Sequence, residues 1–275
     1  MKQLISLILG LLCLVSCTDS IEEKANTHYV LAEQAFRKGA YDVAREQIDS
    51  IRLNYPKAFD TRRKAVKLRL EIDLAEGQQS VEESDRIIQQ KTELVERMKG
   101  KMVLEPVKGT VGNYVSPAQT LDKIAHDMLR AQVDEHGLLT LTSIYCGTLG
   151  HKAVKVESEG QSLQTPASSA TFYSESNGVK LEEAVFSNDH EVGVSAFISQ
   201  HVVKKVLFTF IGKSKNETIT MTPTDIKAIS DIYDLYLQMK ILNDARVRYA
   251  DACEQIKFIH IKLDELEGGK KTDKD

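Results

Sequence analysis

The chain has 275 residues, of which 42% are hydrophobic and 28% charged, and its formal net charge is −4. This length is enough for one large domain or two smaller ones with well-buried cores. A nearly neutral chain lacks the excess of basic residues that nucleic-acid binding requires, so we expect no nucleic-acid partner.

The N-terminus has the features of an export signal. Lys2 precedes a short apolar run from Leu4 to Val15. A helix that spans a bilayer needs about 20 apolar residues, so this run is too short to be a permanent membrane span. It has the size of the hydrophobic region of a secretory signal peptide, and residues 1–16 are therefore predicted to be removed. Loss of Lys2, the one charged residue in this segment, changes the formal net charge from −4 to −5.

The residues Leu14-Val15-Ser16-Cys17 follow the order aliphatic, branched, small, cysteine. They resemble the lipobox of bacterial lipoprotein signal peptides. The resemblance implies cleavage before Cys17 and attachment of diacylglycerol to its sulfur, for which a thiolate is a suitable nucleophile. Several acyl chains anchor a domain to a membrane far more firmly than one chain does. The alternative is an ordinary signal peptide that ends in a cysteine.

The residue after Cys17 bears on the final location of the protein. In enterobacteria-like sorting, an Asp at this position retains a lipoprotein in the inner membrane, and this chain has Thr18 instead. The resemblance therefore implies a lipid-anchored protein of the cell envelope, in the outer membrane, on its periplasmic face or at the cell surface. Residues 17–23 are interpreted as a tether.

A helical hairpin is predicted over residues 24–56. Apolar residues at helical spacing stop at Gly39, resume after it and end at Pro56. The pattern resembles a tetratricopeptide repeat, a unit that buries its faces by stacking on further repeats. The matching residues are Leu31, Ala32, Gly39, Ala40, Tyr41, Ala44 and Pro56. No second repeat of similar quality follows, and a plain helical hairpin is the alternative.

Two long amphipathic helices are predicted, over residues 57–99 and 224–266. Their nearly equal length favours an antiparallel pair within one chain. Pairing between chains is the alternative, and it would make the protein a structural assembly factor. Residues 267–275 are predicted to be a disordered tail. The second helix carries a heptad pattern at Leu242, Ala245, Tyr249, Ala252, Ile256, Ile259, Leu263 and Leu266.

Between these helices, residues 103–222 show the period of two that is typical of β-strands. Turn residues such as Asn177-Gly178 separate short segments rich in branched and aromatic residues. We predict an antiparallel, jelly-roll-like β-sandwich and a short helix within 116–129, so the whole chain belongs to the α+β class. The predicted strands are 139–146, 152–156, 171–176, 179–186, 192–199, 205–211 and 217–221.

The histidines and the basic residues suggest no specific site. His190 lies between Asp189 and Glu191 at a predicted turn, and a similar cluster covers 134–136. A cation site is conceivable there, but solvated turn residues are the simpler interpretation. No catalytic, cofactor-binding or metal-binding residue is assigned. A basic segment can either contact phosphate headgroups or form the solvent face of a helix, which we favour; its residues are Arg62, Arg63, Lys64, Lys67 and Arg69.

Exposed aromatic rings commonly bind sugars, and this chain has no Trp. Phe172 and Tyr173 are neighbours in a predicted strand and should face opposite sides of the sheet, with one of them in the core. Tyr145 is a similar candidate, and packing is the simpler interpretation for each. Cys146 and Cys253 are expected to be free thiols, although an oxidising envelope also permits a disulfide.

These features favour a non-enzymatic cell-envelope lipoprotein whose helical stalk presents a β-domain for binding a protein or a glycan. The helical hairpin and the loops of the β-domain are the two candidate surfaces. The main alternative is an enzyme of the glycan hydrolase type that acts on envelope polymers. Carboxylates such as Glu182, Glu183 and Glu191 would then be catalytic, but the sequence does not pair them.

Overall fold

The computed structural model describes residues 21–176, 178–187 and 190–268, which form two compact units. The described part of unit 1 comprises residues 21–86 and 246–268, and that of unit 2 lies within Ile87–Ala245. Helices make up the described part of unit 1, whereas unit 2 combines helices with two antiparallel sheets. The predicted α+β class is confirmed.

Several predictions concern residues outside the described ranges. These are the signal peptide 1–16, the lipidation of Cys17 and the tail from 269 to 275, and all of them stay predictions. Residues 21–23, predicted as part of the tether, are helical, and so are residues 267–268.

Unit 1 contains a helical hairpin of α1 (21–37) and α2 (Tyr41–Asn54). α1 ends in a Schellman motif, in which Gly39 donates to the Phe36 carbonyl at 2.9 Å and Ala40 donates to the Ala35 carbonyl at 2.9 Å. Gly39 has a φ of +71°, which glycine adopts without strain because it has no Cβ. Small side chains let the helices approach closely, and the core of the unit consists of Ala25, Ala32, Ala35, Ala44, Ile48, Ile51, Ala58, Ala65, Leu68 and Ile72.

Two long helices, α3 (Phe59–Lys99) and α5 (Pro223–Gly268), occupy the segments predicted to be helical. Within unit 1 they run antiparallel, since Lys67 pairs with Glu267 at 2.8 Å while Gly77, later in α3, lies against Ile256, earlier in α5. A Cβ at Gly77 would lie 3.0 Å from Ile256 Cγ1, so the missing side chain permits this close approach. Within the described residues, no helix has an apolar stretch long enough to cross a bilayer.

Unit 2 contains two sheets in its described part. The first has the strand order β1-β2-β3-β4-β8-β7 and the second β10-β9-β5-β6, with antiparallel neighbours throughout. The strands are β1 (Val103–Glu105), β2 (Asn113–Val115), β3 (Met128–Asp134), β4 (Leu139–Cys146), β5 (Ala153–Ser158), β6 (Gln161–Gln164), β7 (Ala170–Ser176), β8 (Val179–Ser187), β9 (Leu207–Ile211) and β10 (Asn216–Thr220).

Both sheets share one hydrophobic core with the helices of unit 2. Phe186 of the first sheet and Phe208 and Phe210 of the second are fully buried in it. The core also contains Val95 of α3 and a row of apolar residues from α5. The helices therefore complete the core that the two sheets begin.

The strand order differs from the predicted jelly roll. Strands β1 to β4 are consecutive neighbours in one sheet, whereas a jelly roll is built from two Greek keys. The helix predicted within 116–129 is also wrong. That segment contains a single 3₁₀ turn at Leu121–Lys123, and β3 begins at Met128.

The strand predicted over 192–199 is α4 (Val194–Gln200). Val194 and Ile198, four residues apart, are both fully buried, so the apolar pattern has the helical period and not the period of two. The Glu191 carboxylate accepts the backbone N–H of Ser195 at 2.6 Å, which satisfies one of the free donors at the start of the helix.

Candidate functional site

An apolar groove lies between α2 and α3 in unit 1. Its volume is about 270 Å³, and its floor consists of Ile48 and Ile51 of α2 with Ala65, Val66 and Leu70 of α3. Ile51 and Ala65 are buried in the core of the unit, whereas Val66 is 52% exposed. The groove thus continues the core to the surface, where a docked partner would remove apolar side chains from water.

A charged cluster holds the two helices of the groove together. Arg45 of α2 donates to Glu76 of α3 at 2.7 Å and to Asp73 at 3.0 Å. The hydrogen bond to Glu76 is the main cause that raises the pKa of Arg45, and the same bond lowers the pKa of Glu76. The cluster therefore stays ionised at neutral pH and fixes α2 against α3.

Three arginines surround the groove. Arg52 lies on α2, Arg62 and Arg69 lie on α3, and Asp49 is the one acid among the lining residues. Arg52 approaches Asp49 at 3.4 Å, Arg69 approaches Asp73 at 3.5 Å, and Arg62 donates one N–H to the Pro56 carbonyl at 2.8 Å. Because a guanidinium has five N–H donors, these contacts leave donors available for the carboxylates of a ligand.

Two of these arginines, Arg62 and Arg69, belong to the basic segment noted in the sequence, but Arg52 does not. Arg52 lies four residues after Ile48, and this spacing puts both on one face of α2. Arg52 can therefore be identified from the sequence by its helical spacing relative to the buried residues of α2.

A second polar constellation lies inside unit 2. The Ser143 hydroxyl donates to His151 Nε2 at 2.5 Å, and His151 Nδ1 donates to Glu182 at 2.5 Å. An ionised carboxylate only accepts hydrogen bonds, so Nδ1 carries the proton and Nε2 is the acceptor. Serine, histidine and acid follow the order of a hydrolase triad. All three residues are 0% exposed, however, so a substrate has no access to the serine.

Glu182 anchors the loop between β4 and β5. Its carboxylate accepts the backbone N–H groups of Leu149 at 3.0 Å, Gly150 at 2.8 Å and His151 at 2.5 Å. Burial acts to raise the pKa of Glu182, but these donors and the His151 ring outweigh burial and keep the pKa below 4.5. Burial lowers the pKa of His151 below 6.5, against the opposing effect of Glu182. His151 is therefore neutral and Glu182 is ionised, and their contacts hold the loop between β4 and β5 in place.

This network predicts a loss of stability at acidic pH. As the pH falls below 6.5, the unfolded chain takes up a proton on His151 while the native chain resists it, so the free energy of unfolding decreases. The pKa of Glu182 is also lowered in the native chain, so protonation of this residue further decreases the free energy of unfolding as the pH falls below 4.5. Urea denaturation at a series of pH values should show the decline begin just below 6.5, and the His151→Gln variant should show a shallower one. Equal slopes in both proteins would contradict this assignment.

The acids considered for an enzyme each have a structural partner. Glu182 belongs to the buried network, and Glu183 accepts the Ser174 hydroxyl at 3.1 Å. Glu191 lines a small cavity together with Asp244. Glu191 accepts two backbone N–H groups at the start of α4, and Asp244 pairs with a lysine at 2.9 Å, so each of them has a structural partner.

The two acid–histidine clusters behave as turn residues. Asp134 accepts the backbone N–H of His136 at 2.9 Å in the turn after β3, and His190 donates to the Ala167 carbonyl at 2.7 Å. Asp189 lies outside the described residues. In the part of the chain that the structure describes, no group of three or more histidines, cysteines or acids could hold a metal ion.

Phe172 and Tyr173 are both exposed, by 56% and 67%, so the expectation that one of them lies in the core is wrong. They lie on β7, the edge strand of the first sheet. Neighbouring residues of a strand point to opposite faces, so the two rings cannot form one platform for a sugar. Tyr145 packs against Phe210 with ring centroids 5.3 Å apart. Cys146 and Cys253 are free thiols, and both are partly buried.

Comparison with models of protein families, with curated protein sequences and with solved structures finds no match to this chain. The function therefore has to be argued from the geometry of the groove and of the buried network.

Proposed function

We propose that this protein is a non-enzymatic lipoprotein of the cell envelope, anchored through Cys17, that binds a protein partner in the groove between α2 and α3. The decisive observation is that three arginines surround an apolar floor with Val66 exposed. The occupant that fits this groove is an amphipathic helix with acidic residues beside its apolar face.

A helix suits the groove better than an extended segment. The walls are two packed helices, and a third helix can insert its side chains between theirs at the usual distance of about 8–10 Å between axes. The likeness of α1 and α2 to a tetratricopeptide repeat supports the same proposal, because such units bury their faces against further helices. At Val66 the described residues leave that face open.

The alternative functions find less support. In the buried Ser143–His151–Glu182 network the nucleophile has no access to substrate, which disfavours hydrolysis there. Ala252 and Ile259, which belong to the heptad pattern of α5, are already buried within the chain, and this disfavours assembly through the long helices. We therefore favour a protein partner over a glycan or a second copy.

Site-specific photocrosslinking tests the groove. A photoreactive phenylalanine analogue at Val66 of the acylated protein should form adducts with a protein partner in envelopes. Arg52→Glu should reduce these adducts strongly, because it opposes the partner's acidic residues. Val43 is the matched control, since it is a 49% exposed valine on α2 that does not line the groove and should give few adducts. Equal adduct patterns at both positions, insensitive to Arg52→Glu, would contradict the proposal.

A further inference from the structure

The turn between α2 and α3 exposes apolar and basic side chains together. Phe59 is 70% exposed and Leu53 is 66% exposed, although both are large and apolar. Lys57, Arg63 and Lys64 are exposed beside them. We call these five residues the α2–α3 patch. It is distinct from the floor of the groove, whose exposed apolar residue is Val66.

The start of the described chain is bound to the first turn of α3, beside this patch. Glu22 accepts the backbone N–H groups of Asp60 and Thr61, each at 3.2 Å, and the Thr61 hydroxyl at 2.7 Å. Residue 22 is therefore held at the first turn of α3, next to Phe59. Five residues of chain reach at most about 18 Å, so covalent geometry keeps Cys17 within that distance of Glu22.

Charges of both signs lie at this end of unit 1. Arg63 and Lys64 line a cavity together with Lys67, and the carboxylates around it are those of Glu22, Glu33, Asp60, Glu71 and Glu267. The carboxylates have local partners: Glu71 and Glu267 pair with Lys67, Glu33 accepts the Tyr29 hydroxyl, and Glu22 accepts backbone N–H groups. Asp60 lies in the first turn of α3, where a helix favours negative charge.

We propose that the α2–α3 patch docks on an anionic membrane surface, with the Phe59 ring at the boundary of headgroups and acyl chains and the basic side chains on lipid phosphates. This docking rests on acylation of Cys17, which is part of the proposed function. The acyl chains hold the patch at the bilayer, so a weak contact suffices to orient unit 1. An aromatic residue flanked by cations is the combination that the interface of an anionic membrane binds.

Fluorescence of the acylated full chain on vesicles tests the docking. An environment-sensitive dye is attached at Phe59→Cys in a background with Cys146→Ser and Cys253→Ser. Phe258→Cys is the matched control, since Phe258 is also exposed in unit 1, at 57%. Phe258 lies two residues from Ile256, which packs at Gly77, about 27 Å along α3 from Phe59.

On vesicles of phosphatidylcholine with phosphatidylglycerol, the dye at position 59 should shift to shorter wavelength and lose intensity with brominated acyl chains. The dye at position 258 should do neither. Arg63→Gln and Lys64→Gln should each lower the equilibrium constant for docking about fivefold. The Cys17→Ala chain should stay unbound when vesicles are floated.

The outcomes separate the docking from the anchor. If the acylated protein floats with the vesicles but the dye at position 59 behaves like the dye at position 258, the docking is overturned and the anchor stands. If the protein that carries Cys17 does not float, the anchor itself is overturned, and the docking with it.

Discussion

We expect the Glu182→Ala variant to lose about 3–5 kcal/mol of unfolding free energy, because removal of one partner leaves a buried polar network incomplete. Three backbone N–H groups and the Nδ1–H of His151 would lose their acceptor, and the Glu182 and His151 side chains are fully buried. The loop between β4 and β5 would then have to open to let water in. Urea denaturation followed by near-ultraviolet circular dichroism measures the loss, since Tyr145 packs against His151 in this region.

Glu183→Ala is the control for this measurement. Glu183 is the next residue of β8 and points to the other face of the sheet, where the Ser174 hydroxyl contacts it at an exposed position. Its replacement should change the free energy of unfolding by no more than about 0.5 kcal/mol. Similar costs for the two variants would mean that the buried network contributes little to stability.

The second large effect is expected at the seam between α3 and α5 in unit 1. Ile259 is 3% exposed, so the Ile259→Asp variant would place a carboxylate without a partner among apolar side chains. Loss of the isoleucine packing adds to this cost, and we expect a loss of at least about 3 kcal/mol. Thermal and urea denaturation followed at 222 nm, a wavelength that reports helix, should show it.

Ile261→Asp makes the same chemical change two residues away on α5, where the side chain is 57% exposed. It should cost little, because the new carboxylate stays in water. If the seam formed between chains, the stability of the wild-type protein would rise with protein concentration, whereas pairing within one chain leaves it unchanged. Equal losses at positions 259 and 261 would be incompatible with the observed packing.

The Ser143–His151–Glu182 network shows why the geometry of a site has to be judged together with its burial. The hydrogen bonds have the order that activates a serine, yet all three residues are fully buried. The groove presents the opposite combination, with no catalytic geometry but with apolar and cationic groups at the surface. The groove is the accessible one of the two sites, and we therefore assign the proposed function to it.

Periodicity in the sequence was enough to predict four of the five α-helices and six of the ten strands in the described residues. The stop at Gly39 and the pattern of α5 identify the hairpin and the long helices, because one face of each is buried and side chains on that face recur every three to four residues. Six of the seven predicted strands are present for the corresponding reason, with a period of two. The seventh is α4, because its buried residues Val194 and Ile198 lie four residues apart, which is the helical spacing, and Glu191 accepts backbone N–H groups at its start.

The contacts between distant residues were decided by the tertiary structure alone. Ser143 and Glu182 come together because β4 pairs with β8, with Tyr145 opposite Glu182, and no local pattern specifies which strands become neighbours. The groove likewise depends on how α2 packs against α3. The sequence alone determines the residue type at each position and the period of each element, because both are local. Pairing and packing depend on which distant surfaces bury each other, and only the folded chain shows that.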